Sequence, residues 1–245
     1  MDFSITKDEE SLAKAFDTFC QERIAPRAAQ ADREGVLDAA TWRELAEVGF
    51  LGLGIPEEWG GHEAPWVVRC MAQESLAKAC ASTFLSAGAS VGLCGLPLLT
   101  FGSDEQRSRW LPRLVRGEAI GCFALTEPGA GTDAASITTR ATRVPGGGYL
   151  LQGEKALITN APIADVAVVL AVTDPAAGVG GVSAFVVDLA QKGVTRTKAY
   201  QKMGLRASAT GGLVFDEVHL DEGDLLGTEG GGFAQAMMIL EHGRL

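Results

Sequence analysis

Apolar residues follow two different rhythms along this chain. From Thr6 to about residue 119 they recur at helical spacing. Thr6-Lys7-Asp8-Glu9 has the form of a capping box opening a helix. Leu12, Phe16, Phe19 and Ile24 then fall on one helical face. Asp38 can cap a second helix carrying Trp42, Leu45 and Val48, which Gly49 can end. After a loop over Gly54–Gly61, the pattern predicts two helices at residues 64–80 and 83–101. Ser103-Asp104-Glu105-Gln106 is a second capping box, opening a helix through Trp110.

From residue 120 the rhythm is that of strands. Ile120–Thr126, Ser136–Val144, Tyr149–Gly153, Ala156–Thr159, Val166–Val172, Val182–Val187, Val194–Thr197 and Gly212–Phe215 are short and rich in β-branched residues. Gly, Pro and Asp punctuate them, and Gly146-Gly147-Gly148 signals a hairpin. At Gly232 a helical pattern returns through Phe233, Met237, Met238 and Leu240 and runs for about three turns to the chain end. The expected architecture is α+β. It has an all-α helical domain at 1–119, an antiparallel β-barrel or sandwich at 120–229, and the first turns of a further helix at 230–245.

Composition narrows the function. Of 245 residues, 47% are hydrophobic and 21% charged, the balance of a folded chain. The formal charge of −10, with no Lys/Arg cluster, argues against nucleic acid and against a polybasic membrane surface. No apolar run reaches the ~18 residues of a membrane span, and Met1-Asp2-Phe3-Ser4 does not open a signal peptide. Cys20, Cys70, Cys80, Cys94 and Cys122 are odd in number and lack a C-x-x-C spacing. They suit free thiols in a reducing cytoplasm, which is the expected location. His62, His219 and His242 are too scattered for a zinc site.

Single motifs say little. Gly129-Ala130-Gly131-Thr132-Asp133-Ala134 fits G-x-G-x-x-A, but Pro128 precedes it and β-branched Ile137-Thr138-Thr139 follow, against a Rossmann unit. A glycine turn between strands can still offer amides to a phosphate, or be a plain tight turn. Two Ser-x-x-Lys runs, at Ser11 and Ser75, lie mid-helix without companion motifs. Glu127 and Asp133 flank the glycine turn and read more readily as turn acceptors than as an acid/base pair.

In combination the motifs resemble the acyl-CoA dehydrogenase family. They occur in that family's order: Gly49–Gly61 with Pro56-Glu57-Glu58-Trp59-Gly60-Gly61, Phe101–Gln106 through Leu111-Pro112 and Gly117-Glu118, and Leu125-Thr126-Glu127-Pro128-Gly129-Ala130-Gly131-Thr132-Asp133. Gly153-Glu154-Lys155 with Ile158-Thr159-Asn160-Ala161, Lys202–Arg206 with Phe215–Val218, and Gly230–Arg244 follow.

This resemblance implies an FAD cofactor lying against the middle domain. Carried over by motif position, Phe123, Leu125, Thr126, Gly131, Thr132, Leu157, Ile158 and Thr159 would contact it. Thr132 and the segment Glu241, His242, Gly243 and Arg244 would contact substrate. The implied reaction is α,β-desaturation of an acyl-CoA or acyl-carrier-protein thioester. A carboxylate takes the α-proton and flavin takes the β-hydrogen as hydride. An electron-transferring flavoprotein is the implied acceptor, and a homo- or hetero-oligomer the implied assembly.

Three departures qualify the resemblance. Leu157 stands where the family commonly has an aromatic residue. The catalytic base is unassigned: Gly243 occupies the position that carries it in some members, and Glu241, three residues before Arg244, is a weak substitute. The family's third, helical domain is not present in the chain. A fragment, a split enzyme whose partner chain supplies the base and part of the FAD site, or a non-catalytic binding or assembly subunit would each account for this. A flavin monooxygenase on the same scaffold is a further alternative.

Overall fold

The computed structural model describes residues 5–243. In the helical half, α1 (Lys7–Phe19) opens with its capping box formed. The Glu9 amide donates to the Thr6 hydroxyl at 3.2 Å and the Thr6 amide to the Glu9 carboxylate at 2.7 Å. A wide π-type turn, Cys20–Ile24, leads into α2 (Ala25–Glu34), which ends at left-handed Gly35. The buried side of α1 is Ala13 and Phe16; Leu12, expected on that face, is turned outward. α3 (Ala39–Glu47) is capped by Asp38, whose carboxylate accepts from the Thr41 amide at 2.8 Å, and buries Trp42 and Leu45. These residues join Phe16, Cys20, Ile24, Leu51 and Leu76 of α4 (Trp66–Ala79) in one core.

α5 (Ala81–Ala87), a π-type stretch Gly88–Gly95 and α6 (Leu96–Phe101) form a continuous rod. Ala81–Phe101 is long and apolar enough, by length and composition, to cross a membrane. The fold uses it instead as a central strut: Cys94 and Leu98 are fully buried, and Ser90 accepts the Gly121 amide at 2.9 Å. α7 (Asp104–Val115) opens on the second capping box, with the Gln106 amide 3.2 Å from the Ser103 hydroxyl.

The second half is a curled seven-stranded sheet: β1 (Gly121–Ala124), β2 (Arg140–Arg143), β3 (Tyr149–Thr159), β4 (Val166–Val172), β5 (Val182–Asp188), β6 (Val194–Arg196) and β7 (Thr210–Leu220). Its order is β1-β4-β2-β3-β7-β6, with β5 on β4. The sheet is mixed, which corrects the antiparallel expectation. β1 runs parallel to β4, and Arg140 of β2 bridges Val172 in parallel, while the other pairs are antiparallel. The cause is a clamp at the start of β4. The Asp165 carboxylate accepts the Ile120 amide at 2.8 Å, and the Asp165 amide donates to the Ile120 carbonyl at 2.8 Å. Both strands therefore leave the same end in the same direction.

β3 is one long strand where two were expected, because bulges rather than a turn interrupt it. At the first bulge Gly153 has φ 139°, and a Cβ there would lie 2.7 Å from Thr139. β4 is buried on both faces. Val166, Val168 and Leu170 pack with α7 and β5, while Ala167, Val169 and Ala171 pack with β1, β3 and β7. Double burial explains its unbroken apolar run. α8 (Gly232–His242) lies on β5, with Gly232 so close that a Cβ would meet the Ser183 carbonyl carbon at 2.4 Å.

Candidate functional site

The segment leaving β1 is held by a buried ion pair. Glu127 and Lys155 side chains are almost fully enclosed and meet at 2.8 Å. The Glu127 carboxylate also accepts the Thr138 amide at 2.7 Å, the Thr138 hydroxyl at 2.9 Å and the Thr139 amide at 3.0 Å. Lys155 Nζ donates a second bond to the Leu125 carbonyl at 3.0 Å. Burial by itself would raise the Glu127 carboxyl; the hydrogen bonds from Lys155 and Thr139 and the ammonium charge outweigh it and hold it well below the usual carboxylate range. Burial pulls the Lys155 ammonium down, partly offset by Glu127. These bonds also explain why β2 starts at Arg140 rather than Ser136: the preceding residues wrap around Glu127. Asp133 accepts the Ser136 hydroxyl, so both carboxylates flanking the glycine turn serve the turn.

This pinning aligns two segments. The Ala156 amide donates to the Thr126 carbonyl at 2.9 Å, joining the exit of β1 to β3. The second β3 bulge, between Lys155 and Ile158, turns Leu157 outward at φ 59° with 66% of its surface exposed. Ile158 and Leu125 point into the core, Phe123, Thr126 and Thr159 are half-buried, and Gly131 and Thr132 are exposed. Beyond the Glu127–Ala130 turn, the Gly131 and Thr132 amides make no hydrogen bond among the described residues. A Cβ at Gly129 or Gly131 would meet open space.

Thr159 also lines a cleft of about 340 Å³ between the rod and the end of α8. Its walls include Phe50, Leu53 and Ile55, then Phe84, Leu85, Gly88, Gly92 and Leu93 of the rod, and His242 and Gly243. Of the residues expected to contact substrate, His242 and Gly243 line this cleft, whereas Thr132 and Glu241 are exposed and outside its lining. Arg244 lies outside the described residues. No aspartate or glutamate lines the cleft among the described residues.

Sequence reading missed a third group on the cleft wall: Trp66, Arg69 and Gln73 of α4. Arg69 and Gln73 lie one helical turn apart, so one face of α4 is polar where it meets an apolar cleft. That spacing was a readable signal only once the other wall of the cleft was known.

The family model of the acyl-CoA dehydrogenase N-terminal domain matches residues 6–118, and that of the acyl-CoA dehydrogenase middle domain matches residues 122–218. Human mitochondrial short-chain specific acyl-CoA dehydrogenase is 37% identical over 98% of this chain and 58% of its own length. The solved butyryl-CoA dehydrogenase of Megasphaera elsdenii superposes with a TM-score of 0.94 at 37% identity, over 100% of this chain and 64% of that one. A structure described as PigA with FAD and proline superposes with a TM-score of 0.93 at 30% identity, over 99% of this chain and 63% of that one. The chain thus spans about three-fifths of the length of these relatives.

Proposed function

The chain belongs to the acyl-CoA dehydrogenase family, and we propose that it forms the flavin- and substrate-binding part of an FAD-dependent enzyme that desaturates an acyl thioester between its α and β carbons. The observation that carries this reading is the position of Thr159. It sits at the end of the bulged β3 segment that Lys155 and Glu127 pin beside Thr126, and it also lines the apolar cleft. A redox ring placed along Thr126 and Leu157–Thr159 would then adjoin the space for an acyl chain.

The residues present suit FAD. Unbonded Gly131 and Thr132 amides beside open space can take a phosphate. The Thr126 and Thr159 hydroxyls and the outward Leu157 can take the polar and apolar parts of a ring. When bound, FAD supplies the acceptor for the hydride from the β carbon. The chain's own share is to orient the thioester, exclude water and keep the α-proton beside its base. A thioester α-C–H is a weak acid, so an apolar wall of Phe50, Leu53 and Ile55 helps by raising the affinity of an approaching carboxylate for a proton. With no carboxylate on the described lining, the base comes from outside residues 5–243 or from a rearranged Glu241.

Within this reading, residues 1–119 and 120–229 form two domains and 230–245 begin a third. The thioester is borne by CoA or by a carrier protein, an electron-transferring flavoprotein takes the electrons, and the working unit is an oligomer. Five free cysteines suit a reducing cytoplasm. The test is to purify the full-length protein with FAD, record its flavin absorbance, and add acyl-CoAs anaerobically. A yellow protein bleached by a thioester is expected. A preparation that takes up no FAD in the presence of any co-purifying chain overturns the reading.

A further inference from the structure

Arg69 is an anomaly on the cleft wall. A surface arginine turns its head to water. Here the Nε atom is enclosed with no hydrogen-bond partner, and the guanidinium enters no ion pair among the described residues. Its Cζ lies 4.1 Å from the centre of the Trp66 ring, a contact that holds the guanidinium without neutralising its charge. The backbone makes room for it: Gly54 has φ 84°, and a Cβ there would stand 2.3 Å from Cζ. Desolvation holds the guanidinium below its ordinary pKa, and only the neighbouring Cys70 thiol works against that shift. Arg69 is the one permanently charged residue on the described cleft wall, and Gln73, also on that wall, adds an amide donor.

A cation partly withdrawn from water, held over a tryptophan ring and without an ion pair favours an anion, because a partly desolvated charge is stabilised by pairing. The anion must enter through an apolar passage. Gly88 and Gly92 of the rod widen that passage, each with open space where a side chain would be. We propose that Arg69 is the specificity-determining residue for a carboxylate at the distal end of the acyl chain, so that this cleft takes an ω-carboxyacyl thioester. The planar fork of the guanidinium matches a carboxylate in two-point geometry, which a plain fatty acyl tail cannot use.

This inference rests on reading the cleft as an acyl-thioester site, and one experiment separates the two. Binding of adipyl-, suberyl- and sebacyl-CoA is measured by titration calorimetry on the full-length protein, against hexanoyl-, octanoyl- and decanoyl-CoA. At the best-fitting length the dicarboxylic thioester should bind about tenfold to a hundredfold more tightly. Arg69→Met should erase that preference, lowering dicarboxylic binding to the monocarboxylic level, while Arg69→Lys should keep part of it. If the wild-type protein shows no preference at any length, or if Arg69→Met and Arg69→Lys both retain it, the inference falls. If Arg69→Met weakens both series equally, the arginine reads the CoA phosphates, and the inference again falls. If neither series binds, the dehydrogenase reading itself is overturned. The wild-type comparison stands even if a variant fails to fold.

Discussion

Lys155 and Arg69 are both cations removed from open solvent, the first fully buried within the β3 segment and the second partly buried on the cleft wall. Lys155 has its counter-ion built in: Glu127 and the Leu125 carbonyl accept its hydrogen bonds, and three turn groups of Thr138 and Thr139 donate to the same carboxylate. Arg69 has a tryptophan face and an unsatisfied Nε. The first arrangement is closed and serves the fold; the second is open and can serve a ligand. A buried charge by itself does not separate structure from function; the presence of its partner does.

The comparison can be broken most severely at Lys155. Lys155→Met leaves Glu127 buried without its cation and should cost about 3–5 kcal/mol, whereas Lys155→Met with Glu127→Leu should recover much of that. Chemical denaturation of both variants checks this; equal losses would show that the pair's partners matter less than its packing. Next comes Gly54→Ala, which forces a Cβ against the guanidinium in a left-handed backbone. It should cost about 1–3 kcal/mol in melting experiments and displace Arg69 from Trp66, quenching or restoring indole fluorescence.

A smaller effect is expected in acid. The folded Glu127 carboxyl is lowered relative to the unfolded chain, so its contribution is full above the unfolded carboxylate pKa. It is lost as pH falls towards the folded value. Stability of the wild-type protein should thus decline through the acid range more steeply than that of Glu127→Gln. The smallest change is Arg69→Met: with only the Trp66 contact and no ion pair to lose among the described residues, stability should stay within about 1 kcal/mol of wild type. A loss like that at Lys155 would mean that Arg69 is structural after all.

Local chemistry was legible in the sequence. Both capping boxes form, Asp38 caps α3, and Glu127 serves its turn. Contacts between distant residues were not legible. The parallel pairing of β1 with β4 depends on Asp165 meeting Ile120, which no periodicity announces. β3 read as two strands because its bulges interrupt the alternation, and the same bulge that hid the strand carries Leu157 outward. Leu12 was assigned inward by spacing, yet Ala13 takes the buried place. Among the residues proposed to touch substrate, motif position led to His242 and Gly243 on the cleft but could not lead to Arg69, which lies outside every motif.

The doubly buried strand β4 has a mechanical consequence. Its alternate side chains belong to two hydrophobic cores, one shared with the helices and one internal to the sheet. Neither half can open far without stripping one side of the same strand. The two halves should therefore unfold as a single cooperative unit, with the β4 amides among the slowest to exchange with deuterated solvent. The cleft between the rod and the end of α8, with Thr159 of the sheet on its wall, should then keep its dimensions while empty, so that its selectivity is set before any ligand arrives.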